Sequence, residues 1–398
     1  MKYSNRHILN ILNENVYRKH DMKEQYKFSE LPILNHITEL LYNSEMEYNN
    51  LVNRFQSTLS YQLRLPDYLP DTIQNVITDM HTMKCWCSFT IQDRIFDVNL
   101  HFDGTKKYMQ HDIDEHFKKI YMWLYIASRY ASPKCSKYVK INIYLTPHKK
   151  KLPKQYNIVD REHANTAFTT SCQTETEICI FREEEWLKTF IHETFHSMGM
   201  DFSANGSQHT NELIYTFIPI ETDVRLYEAY TECWAEIINS LFVAFYHMKK
   251  RGSTNMENVF NIVLNIERRF SMFQCAKVLN HYNMRFDDLF KQTKLASVRR
   301  NNYKENTPIL SYYLLKMVLM YNAKDFIVWT SKNNDRTINF NRKPDPKKET
   351  RLVNFIKKRM NMPIMMEMLD KANKYLKESQ NKKNMITQSL RMTVYEAV

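Results

Sequence analysis

Two histidines and a glutamate lie close together in the segment FREEEWLKTFIHETFHSMGMDFS, residues 181–203. His192 and His196 are four residues apart, so in a helix both imidazoles lie on one face and can reach one metal ion. Zinc accepts such nitrogen ligands, and a catalytic zinc site uses three protein ligands and a water. Glu193 would lie beside the metal, where its carboxylate can take a proton from that water. The spacing therefore indicates zinc-dependent hydrolysis.

The flanking residues predict the helix that must hold this group. Three glutamates at 183–185 stand where the first turn of a helix favours acids, and Gly199 suits the left-handed residue at which a helix ends. The alternative is a buried helix whose histidines only form hydrogen bonds, and a third metal ligand would distinguish the two. The face expected to pack inward comprises Leu187, Ile191, Thr194, Phe195 and Met198.

Two places in the sequence could supply the third ligand. In an HExxHxxGxxH arrangement it would be residue 202, but Phe202 cannot bind a metal and Asp201 is one residue out of register. Farther on, RLYEAYTECWAEIINSLF places Glu228, Glu232 and Glu236 on one helical stripe. Stacked carboxylates repel one another, and a cation would relieve that repulsion. Glu232 lies far enough beyond the second histidine for a loop and a returning helix.

The motifs HETFH and TECWAE resemble those of the gluzincin branch of zinc metallopeptidases, and NTAFTT followed by EICIFR is similar to the zincin sheet beside the substrate cleft. The run IFREEEWLKTFIHETFHSMGMDFS also resembles metallopeptidase-like proteins encoded by large DNA viruses. The resemblance covers about residues 84–250. The roles that it implies are zinc ligation by His192, His196 and Glu232, general-base catalysis by Glu193, and orientation of the first histidine by Glu236, with Glu228 as the reserve ligand.

The activity implied is that of a zinc metallopeptidase, an endopeptidase acting on a peptide or protein substrate. An oxyanion donor is also needed, and Tyr227, Tyr230 and His209 are candidates from their positions. If NTAFTT forms an exposed strand, an extended peptide can pair with its backbone, with Asn165 and Phe168 as contacts. A place in the core is the alternative for Phe168. The alternative functions are a catalytically inactive zincin-like structural or interaction protein and a basic protein associated with nucleic acid.

Hydrophobic periodicity predicts an α+β fold. Residues 1–83 read as a helical or irregular N-terminal region, and residues 84–250 as a zincin-like domain with a small mixed sheet and the active-site helix. Residues 251–398 read as helices that pack on it. The strands are expected in CWCSFTIQDRIFDVNLHF, KYVKINIYLTP, NTAFTTSC and TEICIF, with a helix in HDIDEHFKKIYMWLYIASRYA.

Charge and cysteine content restrict the setting of the protein. The net charge is +12, and the basic clusters at 148–154 and 342–351 look like exposed loops, so nucleic acid is a secondary candidate partner. Seven irregularly spaced cysteines favour a reducing compartment. No secretory signal or membrane span stands out, which favours a soluble protein inside the cell. With the viral resemblance, that cell would be an infected host, or the protein would be packaged in a virion.

Overall fold

The computed structural model describes residues 3–18, 21–51, 56–59, 65, 69–80, 82–106, 110–252, 255–342, 345–379 and 385–397. The strands are β1 (Gln56–Leu59), β2 (Thr82–Ile91), β3 (Arg94–Asp103), β4 (Tyr138–Tyr144), β5 (Ala167–Thr169) and β6 (Glu175–Ile180). The α-helices are α1 (Tyr3–Asn10), α2 (Pro32–Asn49), α3 (Asp71–Asp79), α4 (Gln110–Tyr130), α5 (Arg161–Ala164), α6 (Trp186–Ser197), α7 (Gln208–Tyr215), α8 (Leu226–Arg251), α9 (Met256–His281), α10 (Lys294–Asn301), α11 (Lys316–Tyr321), α12 (Ala323–Asn333), α13 (Lys348–Arg359), α14 (Pro363–Glu378) and α15 (Met385–Gln388). Short π-helices span Ile11–Val16 and Leu310–Leu315, and 3₁₀ turns span Phe28–Glu30, Ser203–Asn205 and Phe286–Leu289.

The six strands form one mixed sheet in the order β1-β2-β3-β4-β6-β5. β2 and β3 form an antiparallel hairpin, whereas β3, β4 and β6 are parallel neighbours. Parallel pairing needs a crossover, and α4 provides it between β3 and β4. β5 pairs antiparallel with β6 at one edge of the sheet. The α+β prediction and its small mixed sheet are confirmed.

Helices dominate the rest of the chain, as expected. The apolar run from 309 to 329 forms buried helical segments, and among the described residues no helix is long and apolar enough to cross a membrane. The N-terminal region is mostly helical, but β1 adds a strand that its short polar sequence did not predict. The division at 83 and 250 stays a prediction, although side chains from all three segments share one hydrophobic core.

The predicted active-site helix exists, but its surroundings differ from the expectation. All residues of α6 are buried, so the helix is enclosed on every side rather than amphipathic. It begins at Trp186, and Glu185 before it has a left-handed backbone with φ of 63°. The glutamates at 183–185 therefore do not form its first turn. Glu185 is instead held by other contacts, since its carboxylate lies 3.0 Å from Nζ of Lys150.

A segment that we call the C-terminal strap, residues 389–397, lies against the elements that support α6. The Glu185 carboxylate accepts a hydrogen bond from the backbone N–H of Met392 at 2.6 Å. On α9, the Glu267 carboxylate accepts one from the backbone N–H of Val394 at 2.8 Å. These two buried acids satisfy backbone groups that would otherwise be orphaned in the core. The strap is therefore part of the scaffold of the site.

The Glu267 carboxyl makes stability depend on pH. Burial, reinforced by the nearby Glu236 carboxylate, raises the pKa of Glu267 from 4.5 to about 8, although Arg391 and the strap N–H groups oppose the shift. Because the folded state holds this proton more tightly than the unfolded chain, its contribution is present below pH 4.5 and is lost as the pH rises to about 8. We expect the free energy of unfolding to fall by up to ~1.4 kcal/mol per pH unit over this interval, relative to Glu267→Gln. Urea unfolding of both proteins from pH 5 to 8 measures the difference, and parallel profiles would contradict it.

The expectation of reduced cysteines is wrong for one pair. Cys135 and Cys172 form a disulfide that joins the loop after α4 to the loop before β6. The two positions are 37 residues apart, and only the fold brings them together. Among the described residues the other five cysteines are free and buried. Cys85 and Cys87 lie on the buried face of β2.

Gly199 follows the C-cap residue of α6 and lies against this disulfide. Its φ is +63°, as predicted, and a Cβ atom there would lie 2.7 Å from Sγ of Cys135 and 3.0 Å from Sγ of Cys172. Gly206 has a similar φ of +72°, but a Cβ there would meet nothing within 4 Å. Gly199 therefore combines a backbone requirement with a close approach, whereas Gly206 has only the backbone requirement.

Gly199→Ala is expected to lower the free energy of unfolding by about 2 to 4 kcal/mol, because backbone strain adds to a steric clash. Gly252→Ala is the matched control, because Gly252 has a left-handed backbone with φ of 73° and a Cβ there would meet nothing within 4 Å. Backbone strain alone should cost it about 1 to 2 kcal/mol. Guanidinium unfolding of the oxidised proteins measures both values. If both variants lost the same free energy of unfolding, the close approach of Gly199 to the disulfide would not contribute to stability.

The two basic clusters are less exposed than expected. In HKKKLPK, Lys150 is buried beside Glu185 rather than facing solvent. In the second cluster, Lys348 is buried and donates to the backbone oxygen of Phe340, while residues 343 and 344 lie outside the described residues. Burial is tolerated because each ammonium group has oxygen acceptors. These two lysines are thus unavailable to nucleic acid.

Candidate metal centre

Facing stripes of polar side chains join α6 and α8. Lys188, His192 and His196 are spaced by four residues on α6 and face Glu232 and Glu228 on α8. Higher positions on α6 contact lower positions on α8, so the helices are antiparallel. All five side chains are buried. The sequence periodicity of 3.6 residues per turn produces both stripes, and the packing of the helices brings them into register.

Three of these side chains converge on one point. Nε2 of His192 and Nε2 of His196 are 3.0 Å apart, and Oε2 of Glu228 lies 3.1 Å from each of them. Ligand atoms of all three residues lie within 4.8 Å of one another, so the group could hold a metal ion. Tetrahedral zinc with bonds of about 2.0–2.1 Å separates its ligands by about 3.3 Å. The observed spacing is close to that value.

The donor chemistry of the group also fits a divalent cation. Burial opposes ionisation of Glu228, but the imidazoles of His196 and His192 hold its pKa well below the usual range. The carboxylate is therefore ionised, as a metal ligand must be. Two imidazole nitrogens and one carboxylate oxygen are a ligand set that zinc uses in catalytic sites.

A carboxylate stands behind each imidazole. Oε2 of Glu232 lies 2.8 Å from Nδ1 of His192, and the other oxygen of Glu232 contacts Nζ of Lys188. Nδ1 of His196 contacts Oδ2 of Asp201. Such acids fix the tautomer and the orientation of histidines that bind a metal through their other nitrogen. Both Nε2 atoms consequently point to the shared centre.

This arrangement differs by one helical turn from the predicted one. Glu232, the expected third ligand, lies on the outer nitrogen of His192, and the reserve candidate Glu228 stands between the Nε2 atoms. Glu236, expected to orient the first histidine, instead forms a buried ion pair with Lys316. Glu232 thus lies 2.8 Å from the nitrogen of His192 that an orienting acid would contact. Lys188 and Asp201 were not predicted as parts of the site.

Glu193 is the remaining polar member of the HExxH motif. It is 8% exposed and lines the cleft beside the histidines and Glu228. Burial raises the pKa of its carboxyl, while the two imidazoles oppose that rise. It has no hydrogen-bond or ion-pair partner among the described residues. Its carboxylate is therefore available to a molecule in the cleft.

The cleft in front of the centre has a volume of about 770 Å³. The edge strand β5 lines it with Ala167, Phe168 and Thr169, and Asn165 before the strand lines it as well. Both predicted substrate contacts, Asn165 and Phe168, therefore lie at the cleft. The Asn165 side chain accepts a hydrogen bond from Thr307 at 2.7 Å. Phe168 is half-buried and packs partly against a small apolar cluster, so both of its expected roles have support.

The candidate oxyanion donors separate clearly. Tyr227 lines the cleft, with its ring 6.1 Å from that of His196. Tyr230 is buried away from the cleft and its hydroxyl donates to the backbone oxygen of Ile338, so the structure does not support a catalytic role for it. His209 is exposed and does not line the cleft; it contacts Thr350. Tyr230 and His209 were chosen because they are close to the motif in sequence. The direction of each side chain from its helix, which sequence distance does not give, decides whether it faces the cleft.

A tyrosine from a distant segment joins the cleft as well. Tyr312, in the π-helix Leu310–Leu315, lines it with its ring 6.1 Å from that of His192. Burial raises the pKa of both Tyr312 and Tyr227, so each hydroxyl keeps its proton at neutral pH. Neither hydroxyl has a hydrogen-bond partner among the described residues. No local motif marks Tyr312, and only its tertiary position reveals it.

Comparisons with known proteins add a viral relation. No family model matches the chain, and no solved structure matches it. The chain is 28% identical over 185 residues to uncharacterized protein R210 of Acanthamoeba polyphaga mimivirus. That match covers 44% of this chain and 45% of the mimivirus protein, so the two are compared over less than half of either length. The chain is therefore similar to a protein of a large DNA virus, in agreement with the viral resemblance of its sequence.

Proposed function

We propose that the protein is a zinc-dependent metallopeptidase of the gluzincin type. The observation that carries the proposal is an unpartnered Glu193 carboxylate in a cleft that also exposes the convergent group of His192, His196 and Glu228. A structural zinc site needs four protein ligands, whereas three ligands beside an open cleft leave a position for chemistry. The mixed sheet with its edge strand along the cleft adds support for a zincin-like fold.

The side chains of the centre would bind and orient the ion. His192 and His196 would bind through Nε2 and Glu228 through a carboxylate oxygen, while Glu232 and Asp201 hold the imidazoles from behind. A zinc ion held by these three side chains would supply Lewis-acid chemistry for a peptide carbonyl and for activation of water. Lys188 would keep the Glu232 carboxylate in place through their buried ion pair.

Glu193 would handle the proton. Its carboxylate accepts a proton from the attacking water and then delivers it to the amine that leaves the scissile bond. Burial raises its pKa, which brings the carboxyl nearer to the value that such proton transfer favours. Tyr227 or Tyr312 would donate a hydrogen bond to the oxygen on which negative charge develops.

The shape of the cleft favours an extended peptide. β5 is the outermost strand on its side of the sheet, and a peptide can add to such an edge through backbone hydrogen bonds. Backbone pairing tolerates many side chains, so the cleft suits a broad set of peptides. Phe168 would contact a substrate side chain where it faces the cleft.

Cleavage of an unbiased peptide library tests the proposal. The zinc-loaded protein is expected to cut internal peptide bonds, and the same protein treated with a chelator is expected to cut none. Mass spectrometry of the products identifies the bonds. A protein that binds one zinc and melts earlier after chelation, yet cleaves no peptide in the library, would instead be a structural or interaction protein.

A further inference from the structure

A second cavity, separate from the metal cleft, concentrates positive charge. It has a volume of about 400 Å³ and shares no lining residue with the metal cleft. Three arginines line it: Arg129 near the end of α4, Arg336 in the turn after α12, and Arg342 beyond that turn. We call this cavity the arginine pocket. One guanidinium group comes from α4 and two come from the connection between α12 and α13, so the fold brings them together.

The charge of the arginine pocket is not neutralised by the protein. None of the three guanidinium groups forms an ion pair within the described part of the chain. Arg129 donates to the Tyr125 hydroxyl at 2.8 Å, and its guanidinium stacks on the Tyr125 ring. Among the described residues no acidic side chain lines the cavity, although Glu39 lies 3.8 Å from the lining residue His36. Like charges brought together in this way favour an anion.

The backbone holds Arg336 in an unfavourable conformation. Asp335 and Arg336 have φ values of 54° and 58°, in the left-handed region that residues other than glycine rarely adopt. Each such residue costs about 1 kcal/mol or more. The Arg336 N–H closes the turn by donating to the backbone oxygen of Ser331 at 2.9 Å. This turn fixes the position from which the Arg336 side chain lines the pocket.

The chemistry of the pocket selects a phosphate-bearing ligand. Guanidinium groups bind phosphate oxygens in pairs of parallel hydrogen bonds, and several of them around one cavity suit more than one phosphate group. The charge is gathered in one concavity, where Tyr130 is buried and the exposed ring of the lining is the small imidazole of His36. We propose that the arginine pocket binds a compact anion with two or more phosphate groups.

Inorganic tripolyphosphate is the probe for this proposal. Calorimetric titration of the whole chain in its metal-free form, at about 150 mM salt, is expected to show binding at micromolar to submillimolar concentration. Arg336→Gln and Arg342→Gln should each weaken that binding by tenfold or more. Arg251→Gln, at an exposed arginine outside the pocket, is the matched control and should leave it unchanged. All three substituted arginines are exposed, so their replacement should not disturb the core, and thermal melting verifies that each variant is folded.

The titration has further arms that distinguish the source of the phosphates. A nucleoside triphosphate that binds as tightly as tripolyphosphate indicates recognition of the phosphate chain alone, and tighter binding indicates added contacts to the nucleoside; both support the proposal. Absence of tripolyphosphate binding, or equal binding by Arg336→Gln and Arg251→Gln, would overturn it. Binding of a single-stranded oligonucleotide without any binding of tripolyphosphate would also overturn it, in favour of an extended nucleic-acid surface.

Discussion

Glu228→Gln is expected to lower the affinity of the protein for Zn²⁺ by roughly a thousandfold, and Glu232→Gln by about 10- to 100-fold. The first change removes a carboxylate that lies 3.1 Å from both Nε2 atoms. The second leaves the three metal-facing groups in place and weakens the acid behind His192. The difference between a ligand and an orienting group therefore appears as a difference in the size of the loss.

Competition with a chromophoric chelator measures these affinities. Glu221→Gln is the control, because this exposed carboxylate lies outside the cleft lining and should leave zinc affinity unchanged. Circular dichroism verifies that each variant is folded, since both Glu228 and Glu232 are buried. A larger loss from Glu232→Gln than from Glu228→Gln would restore the ligand assignment that the sequence suggested.

Glu193→Gln is expected to lower kcat for peptide hydrolysis by about 10²- to 10⁴-fold while one zinc remains bound. The amide occupies nearly the same volume as the carboxylate but cannot accept a proton. Because the Glu193 carboxylate makes no hydrogen bond or ion pair with the described residues, its replacement should disturb the fold little. Its removal separates the chemistry of the site from metal binding.

The experiment compares turnover and zinc content in the same preparations. Wild-type protein and Glu193→Gln are assayed on a peptide identified in the library screen, with metal content measured by atomic emission. His196→Ala is the contrasting variant, in which both zinc and turnover should be lost. Turnover by Glu193→Gln within tenfold of wild type would remove the general-base assignment.

Much of the fold follows from local patterns in the sequence. The alternation in CWCSFTIQDRIFDVNLHF predicted β2 and β3, and helical spacing predicted α4, α6 and α8. β1 was not predicted because its four residues, QSTL, show no clear alternation of apolar and polar side chains. Its strand state depends on pairing with β2, which is a tertiary effect.

The histidine pair was predictable, but the register of its acidic partner was not. Glu228, Glu232 and Glu236 lie on the same stripe of α8, so periodicity treats them alike. A shift of one turn along the helix is about 6 Å, and the packing of α8 against α6 decides which acid meets the Nε2 atoms. That packing depends on contacts along both helices, which no spacing rule contains.

Buried charges were the other feature that sequence patterns misjudged. Lys150 and the glutamates at 183–185 look like surface residues, yet Lys150 and Glu185 pair inside the protein. The C-terminal strap supplies part of their surroundings from more than 200 positions away, as the contact of Glu185 with Met392 illustrates. Burial of a charge is acceptable only when partners arrive, and those partners come from distant parts of the chain.

Anomalous X-ray diffraction at the zinc absorption edge, on crystals of the zinc-loaded protein, tests the central claim most directly. We predict one strong peak about 2.0–2.2 Å from Nε2 of His192, Nε2 of His196 and a carboxylate oxygen of Glu228. Glu232 and Asp201 should remain on the outer nitrogens. Absence of a peak between α6 and α8, or a peak bound by Glu232 in place of Glu228, would contradict the account.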